Sequence, residues 1–80
     1  MSYHLNEIPR GILGEFSKIK EEYLEAEDAS EQDNPVMLLL ELSDLIGAIE
    51  EFSLKYNMTL EDLVNMKDAT KRAFKSGTRT

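Results

Sequence analysis

The chain contains no cysteine. That absence excludes disulfides and thiolate chemistry, and it leaves a small fold with two other staples, a bound metal or self-association. Long apolar runs are also missing. The longest, Pro35 to Leu40, is far short of the ~20 residues a membrane span needs. No apolar stretch opens the N-terminus, so no signal peptide is expected, and together with the lack of cysteine this reads as a cytoplasmic protein. Lys and Arg are absent from residues 21 to 51, and the net charge is −7. A nucleic-acid surface, which needs a basic stripe, is therefore not expected. Gly11 and Gly14 lack the Lys-Ser/Thr pair of a phosphate loop. Ser17, Ser43 and Ser53 have no neighbouring base, so a nucleophilic triad is not expected. The single histidine, His4, falls in the N-terminal lead-in and reads as incidental. There is no internal repeat and no low-complexity segment.

What is present fits one small domain, residues 1–80, with an ordinary hydrophobic fraction of 41%. A core of this size is marginal on its own. Charge is unevenly distributed. Most of the acids lie between residues 21 and 51, whereas residues 67 to 79 carry Lys67, Lys71, Arg72, Lys75 and Arg79 against the single acid Asp68. An acidic centre followed by a basic segment suits a metal with a phosphate-bearing ligand; a solvated basic tail on an acidic protein is the plainer alternative.

Hydrophobic periodicity predicts three helices after an extended lead-in at residues 1–11. The first runs from about Ile12 to Ala29, with Ile12, Phe16, Ile19, Tyr23 and Ala26 on one face. Asn34 is suited to an N-cap and Pro35 to a first helical position, so the second helix starts there and runs to about Tyr56. Its beginning, Val36 to Leu40, is apolar all round, and its later residues Leu42, Leu45, Ile46, Ile49 and Phe52 form a broad core face. An 80-residue monomer has too little protein to bury the all-round apolar start, so a partner subunit is expected. Gly47 within this helix costs about 1 kcal/mol relative to Ala, and it is either a close-approach point or simply tolerated. Asn57 and Met58 break the helix. Thr59 to Asp62 reads as a capped start with acids in the first turn, and the third helix runs to about Lys75 with Leu60, Leu63, Val64 and Phe74 on one face, before Gly77 and a tail at 76–80.

The chemistry is carried by carboxylates. Glu22 and Glu25 stand three apart on the first helix, and Glu41 and Asp44 three apart on the second. Residues so spaced are neighbours on a helix surface. Antiparallel packing of the two helices would gather all four, and like charges so crowded repel unless a cation lies among them. Oxygen ligands favour a hard divalent ion, Mg²⁺ or Mn²⁺. Acids on helices are ordinarily solvated, but three details argue otherwise. Glu22, Glu41 and Asp44 flank apolar stripes. The i+4 positions from Glu22, Glu25 and Glu41 are Ala26, Ala29 and Leu45, none of them basic, although Lys18 one turn earlier can pair with Glu22. Glu41 is also embedded in the apolar segment Met37 to Ile49, where an unpaired charge is costly. On the third helix Lys67 falls inside the apolar stripe. Either its stem packs while its ammonium reaches water, or the ammonium is aimed at the carboxylates or at a phosphate.

Taken together, Glu21-Glu22-Tyr23-Leu24-Glu25, a spacer of residues 26 to 40 and Glu41-Leu42-Ser43-Asp44 form the pattern E-E-x-x-E … E-x-x-D. Over about residues 12 to 75 the chain resembles the all-α nucleoside triphosphate pyrophosphohydrolases, and within them the compact MazG-like group, which includes members carried by bacteriophages. The resemblance implies an all-α fold whose three main helices per chain assemble into a four-helix-bundle-like homo-oligomer, a homodimer or dimer of dimers. It implies Mg²⁺-dependent cleavage of an NTP or dNTP to the monophosphate and pyrophosphate, in the host cytoplasm if the chain is phage-encoded. By motif position it makes Glu22, Glu25, Glu41 and Asp44 the metal ligands. Glu21 becomes the residue that orients or deprotonates water or helps hold a second ion, and Lys67 becomes a phosphate contact, with Lys71, Arg72 and Arg79 as further candidates. The alternative is a non-catalytic helical dimer that binds a nucleotide or a protein partner on the same scaffold.

Overall fold

A computed structural model of the chain describes residues 4–76; the side chains of Phe74 and Ser76, and the expected stop at Gly77 and tail beyond it, lie outside the described residues. The fold is all-α. Its elements are α1 (Phe16–Glu31), α2 (Pro35–Ser53), a 3₁₀ turn at Leu54–Tyr56, and α3 (Leu60–Ser76), with no strand among the described residues. No helix is long and apolar enough to cross a membrane among these residues.

Local chemistry sets the helix boundaries. Asn34 Oδ1 accepts from the Met37 N–H at 3.2 Å and Pro35 occupies the first turn, which starts α2 where expected. Asn57 takes the left-handed conformation, φ 58°, and ends the 3₁₀ turn. Thr59 and Asp62 then cap α3 reciprocally, Thr59 N–H to Asp62 Oδ2 at 2.9 Å and Asp62 N–H to Thr59 Oγ at 3.1 Å, an Asp version of the capping box. The first helix starts four residues later than the periodicity predicts. Gly14 adopts φ 93°, and Ile12 to Glu15 form a turn closed by Glu15 N–H to the Ile12 carbonyl. A helix cannot run through that conformation.

The short connection after α1 folds α2 back along it. Phe16 meets Phe52 edge-to-face at 5.5 Å at one end of the pair, and Glu25 approaches Glu41 at the other. The two helices are therefore antiparallel. The buried apolar residues between them are Ala26, Ala29 and Ala48, and Glu22 and Glu41 share that interior. Small side chains allow close helix approach, and the seam they form combines three alanines with two carboxylates.

Of the expected core-face residues, Ala26 is buried and Ile19, Leu45, Ile49 and Phe52 are half-buried. Ile12, Phe16 and Tyr23, expected on the core face of α1, are exposed, as are Leu42 and Ile46 of the expected core face of α2. Val36 is 80% exposed and Leu39 67%. The periodicity is real, but one chain covers only part of the faces it marks. α3 packs lightly on α2 and not on α1.

Candidate metal centre

Three overlapping groups of ligand atoms converge where α1 faces α2: Glu22, Glu41 and Asp44; Glu21, Glu22 and Glu25; and His4, Glu25 and Glu41. Within each group the atoms lie within 4.8 Å of one another. Two ligands on opposite sides of one ion, at ~2.1 Å each, stand ~4.2 Å apart. Adjacent ligands stand ~3 Å apart, so a group would close on a cation only after its side chains move inward.

The residues fit a cation for a second reason. Glu41 is 1% exposed and Glu22 5% exposed, and the Oε2 atoms of both are buried without a hydrogen-bond partner. A buried charge without compensation costs several kcal/mol. Lys18 supplies part of the compensation, its Nζ 3.1 Å from Glu22 Oε1 and 3.2 Å from Glu21 Oε1. Burial, only partly offset by Lys18, pushes the Glu22 carboxyl above its ordinary range. Burial, with a contact to Glu41, pushes Glu25 up to about 7. One lysine does not neutralise the site.

Glu21 behaves differently. Burial opposes its charge, but the Gly11 N–H, donating to its Oε1 at 2.7 Å, and Lys18 together hold it below the usual carboxylate range. Its helical position had pointed away from the apolar stripe of α1. The lead-in folds over that side and makes Glu21 an anchor for Gly11. A Cβ at Gly11 would collide with the Ser17 carbonyl, so the close approach there requires glycine.

Sequence reasoning missed two participants. Asp28, 2% exposed, accepts from the Leu5 N–H at 2.9 Å, the Asn6 N–H at 2.8 Å and Gln32 Nε2 at 2.7 Å. Burial works against its ionisation, yet these donors hold it down to about 2. The clamp brings in His4, whose Nε2 is 3.8 Å from Glu25 Oε1 and whose Nδ1 is 3.6 Å from Asp28 Oδ1. The structure thus places His4, read from the sequence as incidental, beside the carboxylates. No periodicity links residue 4 to residues 25 and 28, so only an acid on the inner side of α1 with no neighbour in sequence could have hinted at the contact.

Two clefts flank the carboxylates. One, about 540 Å³, is lined by Lys18, Glu22, Asp44 and Gly47; the other, about 610 Å³, by His4, Arg10, Glu21 and Glu25. Either volume is in the range of small-molecule sites. Gly47 has open space where a Cβ would stand, so it is no close-approach point within the chain. The expected phosphate contacts are not gathered here. Lys67 is exposed rather than seated in an apolar stripe and pairs with Asp68 at 2.6 Å, on a helix that does not pack on α1. Lys71 lies beside Lys67 on α3, Arg72 is exposed, and Arg79 lies outside the described residues.

No family model, curated protein or solved structure matches the chain.

Proposed function

We propose that the protein is a Mg²⁺-dependent nucleoside triphosphate pyrophosphohydrolase, with Mn²⁺ as a substitute ion, acting on an NTP or dNTP as a MazG-like homo-oligomer. The observation that carries this reading is the pair of buried, unpartnered carboxylate oxygens, on Glu22 and Glu41, with the exposed Asp44 grouped with both and Glu25 grouped with each separately. Four acids on two antiparallel helices are the donor set a hard divalent ion takes. Bound there, such an ion screens phosphate charge and acidifies a water.

The chain's own residues would then divide the work. Glu22, Glu25, Glu41 and Asp44 hold the ion. Glu21, ionised and at the edge of the cluster, orients the attacking water. Lys18 lines the same cleft as Asp44 and is the nearest ammonium for a phosphate oxygen once an ion takes over the charge of Glu22. Lys67 and Lys71 remain candidates for phosphate contact only from a neighbouring subunit, since α3 does not reach α1 in its own chain. Exposure of Val36, Leu39 and Leu40 supports a homodimer or dimer of dimers built on α2, since contiguous apolar surface of that kind marks an interface.

The test is pyrophosphate release from a panel of NTPs and dNTPs with Mg²⁺ and with EDTA. Metal-dependent release from wild type, abolished in Glu41→Gln with helicity unchanged, is the expected result. Normal turnover by Glu41→Gln would sink the metal assignment. No release from any substrate, with Mg²⁺ still raising the melting temperature, would favour a non-catalytic nucleotide-binding dimer.

A further inference from the structure

We propose that His4 gives the carboxylate centre a nitrogen ligand, so that His4, Glu25 and Glu41 form a second subsite for a divalent first-row transition ion. The inference rests on the carboxylate metal site proposed above and adds to it a ligand of a different kind.

The geometry has three parts. The ring nitrogen of His4 and the oxygens of Glu25 and Glu41 lie within 4.8 Å of one another, the same closeness as the Glu22, Glu41 and Asp44 group. Glu41 belongs to both groups and would be the carboxylate they share, and its buried Oε2 lacks a hydrogen-bond partner. On the other edge of the ring, Nδ1 stands 3.6 Å from Asp28. At 3.6 Å this contact is an ion-pair distance and not a hydrogen bond; closing it by about 0.5 Å would give a carboxylate behind one imidazole nitrogen with the other turned toward acidic ligands, the arrangement by which proteins orient a metal-binding histidine.

The lead-in is held there by hydrogen bonds. Asp28 takes both the Leu5 and Asn6 N–H groups, and Glu21 takes that of Gly11, so His4 is delivered to the cluster by a segment fixed at two points. Carboxylates alone suit Mg²⁺ and Mn²⁺; an imidazole shifts preference toward the transition ions. The subsite opens to the cleft that Arg10 lines. A ligand bound there meets a guanidinium beside the ion, which suits an anionic oxygen.

Mn²⁺ is the probe, used with untagged protein in a buffer free of nitrogen ligands. Because His4 is the only histidine, a ¹⁴N imidazole coupling in the pulsed EPR spectrum of bound Mn²⁺ identifies it without any variant. The expected result is that coupling in the wild type, its loss in His4→Gln, and Mn²⁺ binding weakened at least ~10-fold in the variant while Mg²⁺ affinity holds. Mn²⁺ bound without nitrogen coupling, or bound equally by His4→Gln, overturns the subsite and leaves the all-carboxylate site standing. Failure of wild type to bind either ion overturns both.

Discussion

Without a divalent ion the protein should be more stable in mild acid than at slightly alkaline pH, and Glu25 should be a main reason. Its carboxyl is pushed from an ordinary value of 4.5 to about 7 by burial and by Glu41 beside it. A carboxyl with a raised folded pKa binds its proton more tightly in the native state. Its contribution to stability is complete below pH 4.5 and is lost as the pH rises through about 7. At 1.36 kcal/mol per pH unit the interval corresponds to about 3 kcal/mol. Glu22, also raised, acts in the same direction. Glu21 and Asp28 are lowered instead, so their contributions are lost only as the pH falls below their ordinary values near 4. The interval from pH 5 to 8 thus separates the two sets. Urea unfolding in EDTA, at fixed protomer concentration, should show stability falling by about 2–3 kcal/mol over that interval. Glu25→Gln should flatten the slope, since it removes this carboxyl and leaves Glu22 and His4 in place. A divalent ion at a hundred times its Kd should largely cancel the slope, because it replaces the proton and stabilises the native state by about 2.7 kcal/mol. Stability that stays level or rises from pH 5 to 8 in EDTA, or an unchanged slope in Glu25→Gln, would refute the reasoning.

Three further outcomes follow from the same structure. Gly11→Ala should cost about 1–3 kcal/mol in thermal or urea unfolding, because the new methyl collides with the Ser17 carbonyl and loosens the lead-in from Glu21. Gly47→Ala should do the opposite and stabilise by about 0.5–1 kcal/mol, as the Cβ enters open space on a helix; a loss in unfolding experiments would show that another chain closes over that position. Leu39→Glu should shift sedimentation toward the monomer, since Leu39 is 67% exposed within one chain; a wild type that is already monomeric at micromolar concentration would remove α2 as an interface.

Much of the local structure was legible in the sequence. Asn34-Pro35, Asn57 and Thr59 to Asp62 set where α2 begins, where the chain breaks and where α3 begins, because caps and left-handed turns depend on a few adjacent residues. The threefold spacing of Glu22 with Glu25 and of Glu41 with Asp44 fixed that each pair shares a helix side. Only the tertiary structure decided which side faces inward. Ala26, Ala29 and Ala48 form the seam between α1 and α2, with Glu22 and Glu41 beside them, while Tyr23, Val36 and Leu39 are exposed. A periodicity shows that a face is apolar without showing what covers it, and a helix with two candidate faces can bury either. Asp28 and His4 were illegible for a different reason: their contact joins positions 4 and 28 through buried hydrogen bonds to the backbone, which any residue at Leu5 or Asn6 could donate. Lys67 followed its helix away from the acids because α3 lies on α2 alone. Sequence determined the helices and the acids each one carries; the packing of α1 on α2 determined that those acids meet, and that a histidine from the lead-in meets them there.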